Sequence, residues 1–137
     1  MPRHPKRPRR LIADGRAYLW TLSHSHGVAD SGRSCCETVT LYPQPAGSSG
    51  SLRIVFPAGP GRYVPGGAPL GSGDVGYVLG ACLNLHEPGA VRALLDAASA
   101  RGWRPEARRV VKIDGWSLLE AAAAARAGTG PCGPTVT

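Results

Sequence analysis

Residues 16–26 alternate strictly. Tyr18, Trp20, Leu22, His24 and His26 fall on one side, and Ala17, Leu19, Thr21, Ser23 and Ser25 on the other. A period of two with aromatic residues predicts a β-strand. Residues 27–33 carry Gly, Asp and Ser-Gly and predict a turn. Residues 34–42 predict a second strand, so the two make a hairpin. After a loop over 43–50, Leu52, Ile54 and Phe56 alternate with Arg53 and Val55, which predicts a third strand over 51–56. Residues 57–74 are rich in Gly and Pro and predict a long loop, with a short edge pairing at Tyr63-Val64. A short buried strand is expected near 77–84, and an edge strand at 108–113.

The spacing changes at residue 88. Val91, Leu94, Leu95 and Ala98 share one face at a period of 3.6, which predicts an amphipathic helix over 88–101. Pro88 suits its first turn, where the missing N–H is not needed. Gly102 ends it, and Trp103 is placed to pack back on it. A second helix is expected after Asp114 or Ser117 as cap. Ser117 and Glu120 have the spacing of a capping box, and Ala121 to Ala125 propagate the helix. Strands first and helices afterwards imply an α+β fold. The expectation is one small domain, an antiparallel sheet of three to five strands with two helices packed on one face. Its core should draw on Trp20, Leu22, Val39, Leu41, Ile54, Phe56, Leu83, Val91, Leu94, Leu95, Trp103, Val111, Trp116 and Leu119.

Charge subdivides this picture. The net charge is +7, yet residues 1–10 alone hold Arg3, Lys6, Arg7, Arg9 and Arg10 and no acid. The rest of the chain is nearly balanced. The expected organisation is a basic flexible arm over 1–13, an α+β domain over 14–127 and a disordered tail over 128–137. Fourteen arginines against two lysines, with abundant Gly, Ala and Pro, match the codon usage of a high-GC bacterial genome. No apolar run reaches the ~20 residues a membrane helix needs. No apolar segment follows the basic start, so a secretory signal is not expected. The expected compartment is the cytoplasm, where thiols stay reduced. Cys35, Cys36, Cys82 and Cys132 are too few and too irregular for a disulfide framework.

Two constellations carry candidate chemistry. The hydrophobic match of the first hairpin pairs Trp20 with Leu41 and Leu22 with Val39. That register sets His24 opposite Glu37 and His26 opposite Cys35, all on one face. Imidazole, thiolate and carboxylate suit zinc, so His24, His26, Cys35 and Glu37 form a candidate metal site. Against it, His24 and Glu37 also suit an ordinary cross-strand pair. The same group has the residue types for a cysteine nucleophile with a histidine base, but a hairpin rung supplies nothing to activate the thiol. The second constellation is Arg101, Arg104, Arg108, Arg109 and Lys112, a candidate contact for nucleic acid or another anion.

Other motifs fail. The Gly-rich stretch lacks the Gly-Lys-Ser/Thr of a phosphate loop. There is no Gly-x-Ser-x-Gly elbow. His86-Glu87-Pro88 reads as a helix cap ahead of an anion site. With no complete catalytic motif, the preferred expectation is a non-enzymatic accessory module. It needs no cofactor and binds a protein partner on the sheet face that the helices leave bare. The alternatives are a small zinc protein using the hairpin and a nucleic-acid-associated protein using the arm and the arginine cluster. Weak non-specific nucleic-acid contact fits the charge, and a membrane role does not.

Overall fold

A computed structural model describes residues 8–29, 32–45, 50–59, 62–63, 74–77 and 80–126. Its centre is the expected hairpin, β2 (Arg16–Ala29) and β3 (Gly32–Pro43). The register pairs Trp20 with Leu41 and Leu22 with Val39. Both strands outrun the expected limits, and Ala29 pairs with Gly32 inside the stretch 27–33 expected as a turn.

Ahead of β2 lies β1 (Arg9–Ala13), in residues that composition assigned to the arm. It is antiparallel to β2, and the connection is Asp14-Gly15, both at positive φ. Asp-Gly is a preferred pair for such a two-residue hairpin turn. Two further contacts fix the strand. The Arg9 guanidinium sits 4.8 Å above the Trp20 ring, and its Nη1 donates to the His86 carbonyl at 2.6 Å.

On the other side of β3 lies β4 (Leu52–Pro57), antiparallel, and beyond it β8 (Val111–Asp114). β8 runs parallel to β4, so the sheet, in the order β1-β2-β3-β4-β8, is mixed at one edge. The apolar stretch expected as one strand near 77–84 is instead two. β5 (Arg62–Tyr63), β6 (Asp74–Tyr77) and β7 (Cys82–Asn84) form a second, small antiparallel sheet. The expected pairing at Tyr63-Val64 is β5, which ends at Tyr63.

α1 (Pro88–Ala100) and α2 (Trp116–Ala125) complete the α+β domain and cover one face of the five-stranded sheet. α1 ends as its sequence predicts. Gly102 adopts φ +106°, and the Trp103 N–H returns to the Ala98 carbonyl at 3.1 Å. α2 starts just after Asp114, the first of the two expected positions, although Gly115 takes the cap position itself. Gly115 precedes it, the Asp114 carboxylate accepts from the Trp116 N–H at 3.1 Å, and Ser117 donates back to the Asp114 carbonyl. The Ser117–Glu120 capping box does not form.

All fourteen expected core residues lie in the core, with Leu22 and Val111 only partly buried against it. Leu52, Val75, Leu85 and Leu118 join them fully or almost fully buried. Tyr18 is buried as well and packs near Trp103. Burial raises its hydroxyl above the ordinary value near 10, while Arg16 opposes the shift. Folding therefore favours the neutral phenol. That stabilisation is present below pH 10 and is lost as pH rises through the raised value. Urea midpoints are expected to fall on the alkaline side of that range, and Tyr18→Phe to flatten the fall.

Candidate functional site

The hairpin constellation forms in the expected register. His24 stands opposite Glu37, and His26 opposite Cys35. These positions share the helix-covered face, where Glu37 is buried opposite Phe56 and Cys35 packs against the margin of the core. Nδ1 of His24 meets Oε1 of Glu37. Glu37 is only 2% exposed and has Phe56 as its partner on β4. The carboxylate is therefore held in an apolar setting by one imidazole. Among the described residues, no three His, Cys, Asp or Glu side chains converge as a metal site would require. The His26 side chain lies outside the described residues. Cys36 takes the opposite face, its Sγ 3.9 Å from Oγ1 of Thr38. Cys82, at the head of β7, is disulfide-bonded, which departs from the expectation of reduced thiols.

The segment ahead of α1 is a structural join. The His86 N–H donates to Oδ1 of Asn84, and Glu87 binds Arg126, just past the end of α2, at 3.1 Å. Glu87 occupies the cap position without making a cap bond.

The basic constellation divides. Arg101, Arg104 and Arg109 line a single open cavity of about 290 Å³ between the end of α1 and β8. Trp103, Val111 and Ile113 supply its apolar walls. Arg108 is exposed on the connecting segment and stays outside the cavity. Lys112 points to the other side of β8, because its neighbours Val111 and Ile113 face the helices.

That other side is the surface that sequence reasoning located without naming its residues. The strand register gives its rows directly. One row runs Thr21, Thr40, Arg53, Lys112 across four strands. A second runs Arg10, Leu19, Tyr42. A third runs Ser23, Thr38, Val55, Asp114. Among the described residues, three large apolar side chains are exposed, Ile12 at 52%, Tyr42 at 43% and Val110 at 61%. Ile12 and Tyr42 lie on this face by register, and Val110 has the same parity as Lys112. Arg53 and Lys112 are direct neighbours of like charge. Neither they nor Arg10 make an ion pair with any described residue. The rows contain a single carboxylate, Asp114, and it is engaged at the start of α2. Arg10 belongs to the basic stretch at the start of the chain, but Arg53 stands out in no local run, and only the fold brings residues 43 positions apart onto one surface.

Among the described residues, no helix is long and apolar enough to cross a membrane. No family model matches this chain, and no curated protein or solved structure matches it either.

Proposed function

We propose that the protein is a non-enzymatic binding module whose working surface is the bare face of the five-stranded sheet, and that its partner is single-stranded nucleic acid. One observation carries this reading. Arg10, Arg53 and Lys112 stand on that face together with exposed Tyr42 and Ile12, with almost no opposing acid in its rows. Neighbouring cations without counter-charges favour a polyanion. An exposed phenol ring offers a stacking platform for an unpaired base, and the half-buried Thr21 and Ser23 add hydroxyls, whereas Thr38 and Thr40 at the centre of the sheet are buried. A protein partner, the expectation drawn from the lack of a catalytic motif and from an uncovered sheet face, calls for an apolar centre. Here arginine and lysine interrupt the apolar positions instead.

The span agrees with this use. Four strand spacings of about 4.8 Å separate β1 from β8, or roughly 19 Å of surface. The width suits an extended single strand lying across the rows.

Fluorescence anisotropy with labelled single-stranded RNA and DNA tests the reading. Affinity is expected to fall with salt, and Arg53→Gln with Lys112→Gln to flatten the log–log slope by about 1.4, at ~0.7 per phosphate contact. Tyr42→Ala is expected to cost about 1–3 kcal/mol, and Tyr42→Phe to retain most of the binding. Binding that survives all three changes but disappears when residues 1–7 are removed would move the activity to the N-terminal segment and overturn the assignment to the sheet. Absence of salt-dependent binding would leave a protein partner as the reading to pursue.

A further inference from the structure

We infer that the cavity between α1 and β8 is a binding site for a small phosphate monoester with an apolar or aromatic body. This goes beyond the sheet-face reading, because the cavity lies on the other side of β8 and uses different residues.

The argument starts with the donors. Each guanidinium carries five N–H groups. Nη1 of Arg104 donates to the Ser99 and Trp103 carbonyls, both at 2.9 Å. Nη2 of Arg101 donates to the Ser117 carbonyl of α2 at 2.8 Å. These bonds anchor both side chains to backbone, and they leave Nε and the other terminal nitrogen of each uncommitted. Arg109 makes no hydrogen bond or ion pair with any described residue. Two cations are thus held in position while a third remains available.

Electrostatics adds a second step. Among the described residues, none that lines the cavity is Asp or Glu. Three like charges around one opening repel each other unless an anion enters. The fork of N–H groups on arginine matches the paired oxygens of phosphate, and a dianion gains most from three such forks.

The walls select the rest of the ligand. Ala98, Trp103, Val111 and Ile113 are apolar. A volume of about 290 Å³ stands at the small end of ligand pockets. It accommodates a phosphate and a ring, and anything longer has to run out through the open mouth. Such a group exists both as a free phosphorylated metabolite and as the 5′-phosphate of a nucleic-acid end. The shared chemistry is the terminal monoester.

The test is calorimetric titration of the full chain with phenyl phosphate, inorganic phosphate and phenol. One-site saturation by phenyl phosphate is expected, with inorganic phosphate and phenol each at least tenfold weaker. Arg109→Gln, which removes no internal bond, is expected to weaken phenyl phosphate at least tenfold with an unchanged circular dichroism spectrum. Arg53→Gln/Lys112→Gln is expected to leave this binding intact, so failure of the sheet-face reading and failure of this one are separable. A 5′-phosphorylated tetranucleotide is compared with its 5′-hydroxyl form. A preference for the phosphate that Arg109→Gln abolishes assigns the site to a nucleic-acid end. Equal affinities, with phenyl phosphate still bound, assign it to a free monoester. No saturation by phenyl phosphate at millimolar concentration, or equal binding by Arg109→Gln, overturns the proposal.

Discussion

His24→Ala is expected to lower the free energy of unfolding by about 3 kcal/mol, and a second change, Glu37→Leu, to restore most of it. The first substitution takes the imidazole from a carboxylate that is almost fully buried. A buried charge that loses its partner keeps its desolvation cost with nothing to offset it. The second substitution removes the charge. Leucine then extends the apolar face that Phe56, Ile54 and Val39 already form around this position. Replacing both members of a buried pair by apolar groups is often neutral or stabilising. Chemical denaturation of the wild type, the single variant and the double variant measures this directly. A double variant less stable than His24→Ala alone would mean that the carboxylate has a stabilising role apart from His24.

Phe56→Ala is expected to cost about 3–5 kcal/mol, the usual range for removing a buried aromatic ring. For a domain of this size that lowers Tm by roughly 12–20 °C. The ring is fully buried and meets Trp116 edge-on, at 5.3 Å between centroids and 88° between planes. It also fills the space where Gly115 lacks a side chain. A Cβ at Gly115 would come within 2.5 Å of the ring. Loss of the ring therefore undoes the seat of α2 as well as the end of β4. Phe56 is also the cross-strand partner of Glu37, so its removal opens the carboxylate to water. Combined with His24→Ala, the two costs should sum to less than their separate values, because neighbours with a shared partner are not additive. Thermal melts of the two single variants and the pair give the coupling energy.

Much of this arrangement is legible in the chain. The hairpin register followed from Trp20, Leu22, Val39 and Leu41, because a slip of one residue would turn every side chain over. The His24–Glu37 pairing came with it. α1 was legible at both ends from Pro88 and Gly102. β1 was missed although its turn, Asp14-Gly15, stands in the sequence. The basic, proline-broken composition before it outweighed two residues of turn chemistry.

The direction of β8 could not be read at all. Val111–Asp114 has a strand pattern, but no local feature states which neighbour it joins or which way it runs. The sheet face suffered for the same reason. Lys112 was legible within a local run of basic residues, whereas Arg10 and Arg53 joined it only through the pairing of distant strands. The cavity was more accessible to sequence reasoning. Its three arginines lie within nine residues, all in the run of basic residues that follows α1.

The placement of β1 and β8 at the two margins of the sheet has a further consequence for encounters between copies of the chain. A margin strand offers unpaired N–H and carbonyl groups to any passing strand. Here one margin carries Arg9 and Arg10, and the other Lys112. A second copy approaching edge to edge meets its own charge. The lysine and arginine that mark the sheet face thus also keep the sheet from growing, and substitutions that neutralise them trade away a safeguard against self-assembly.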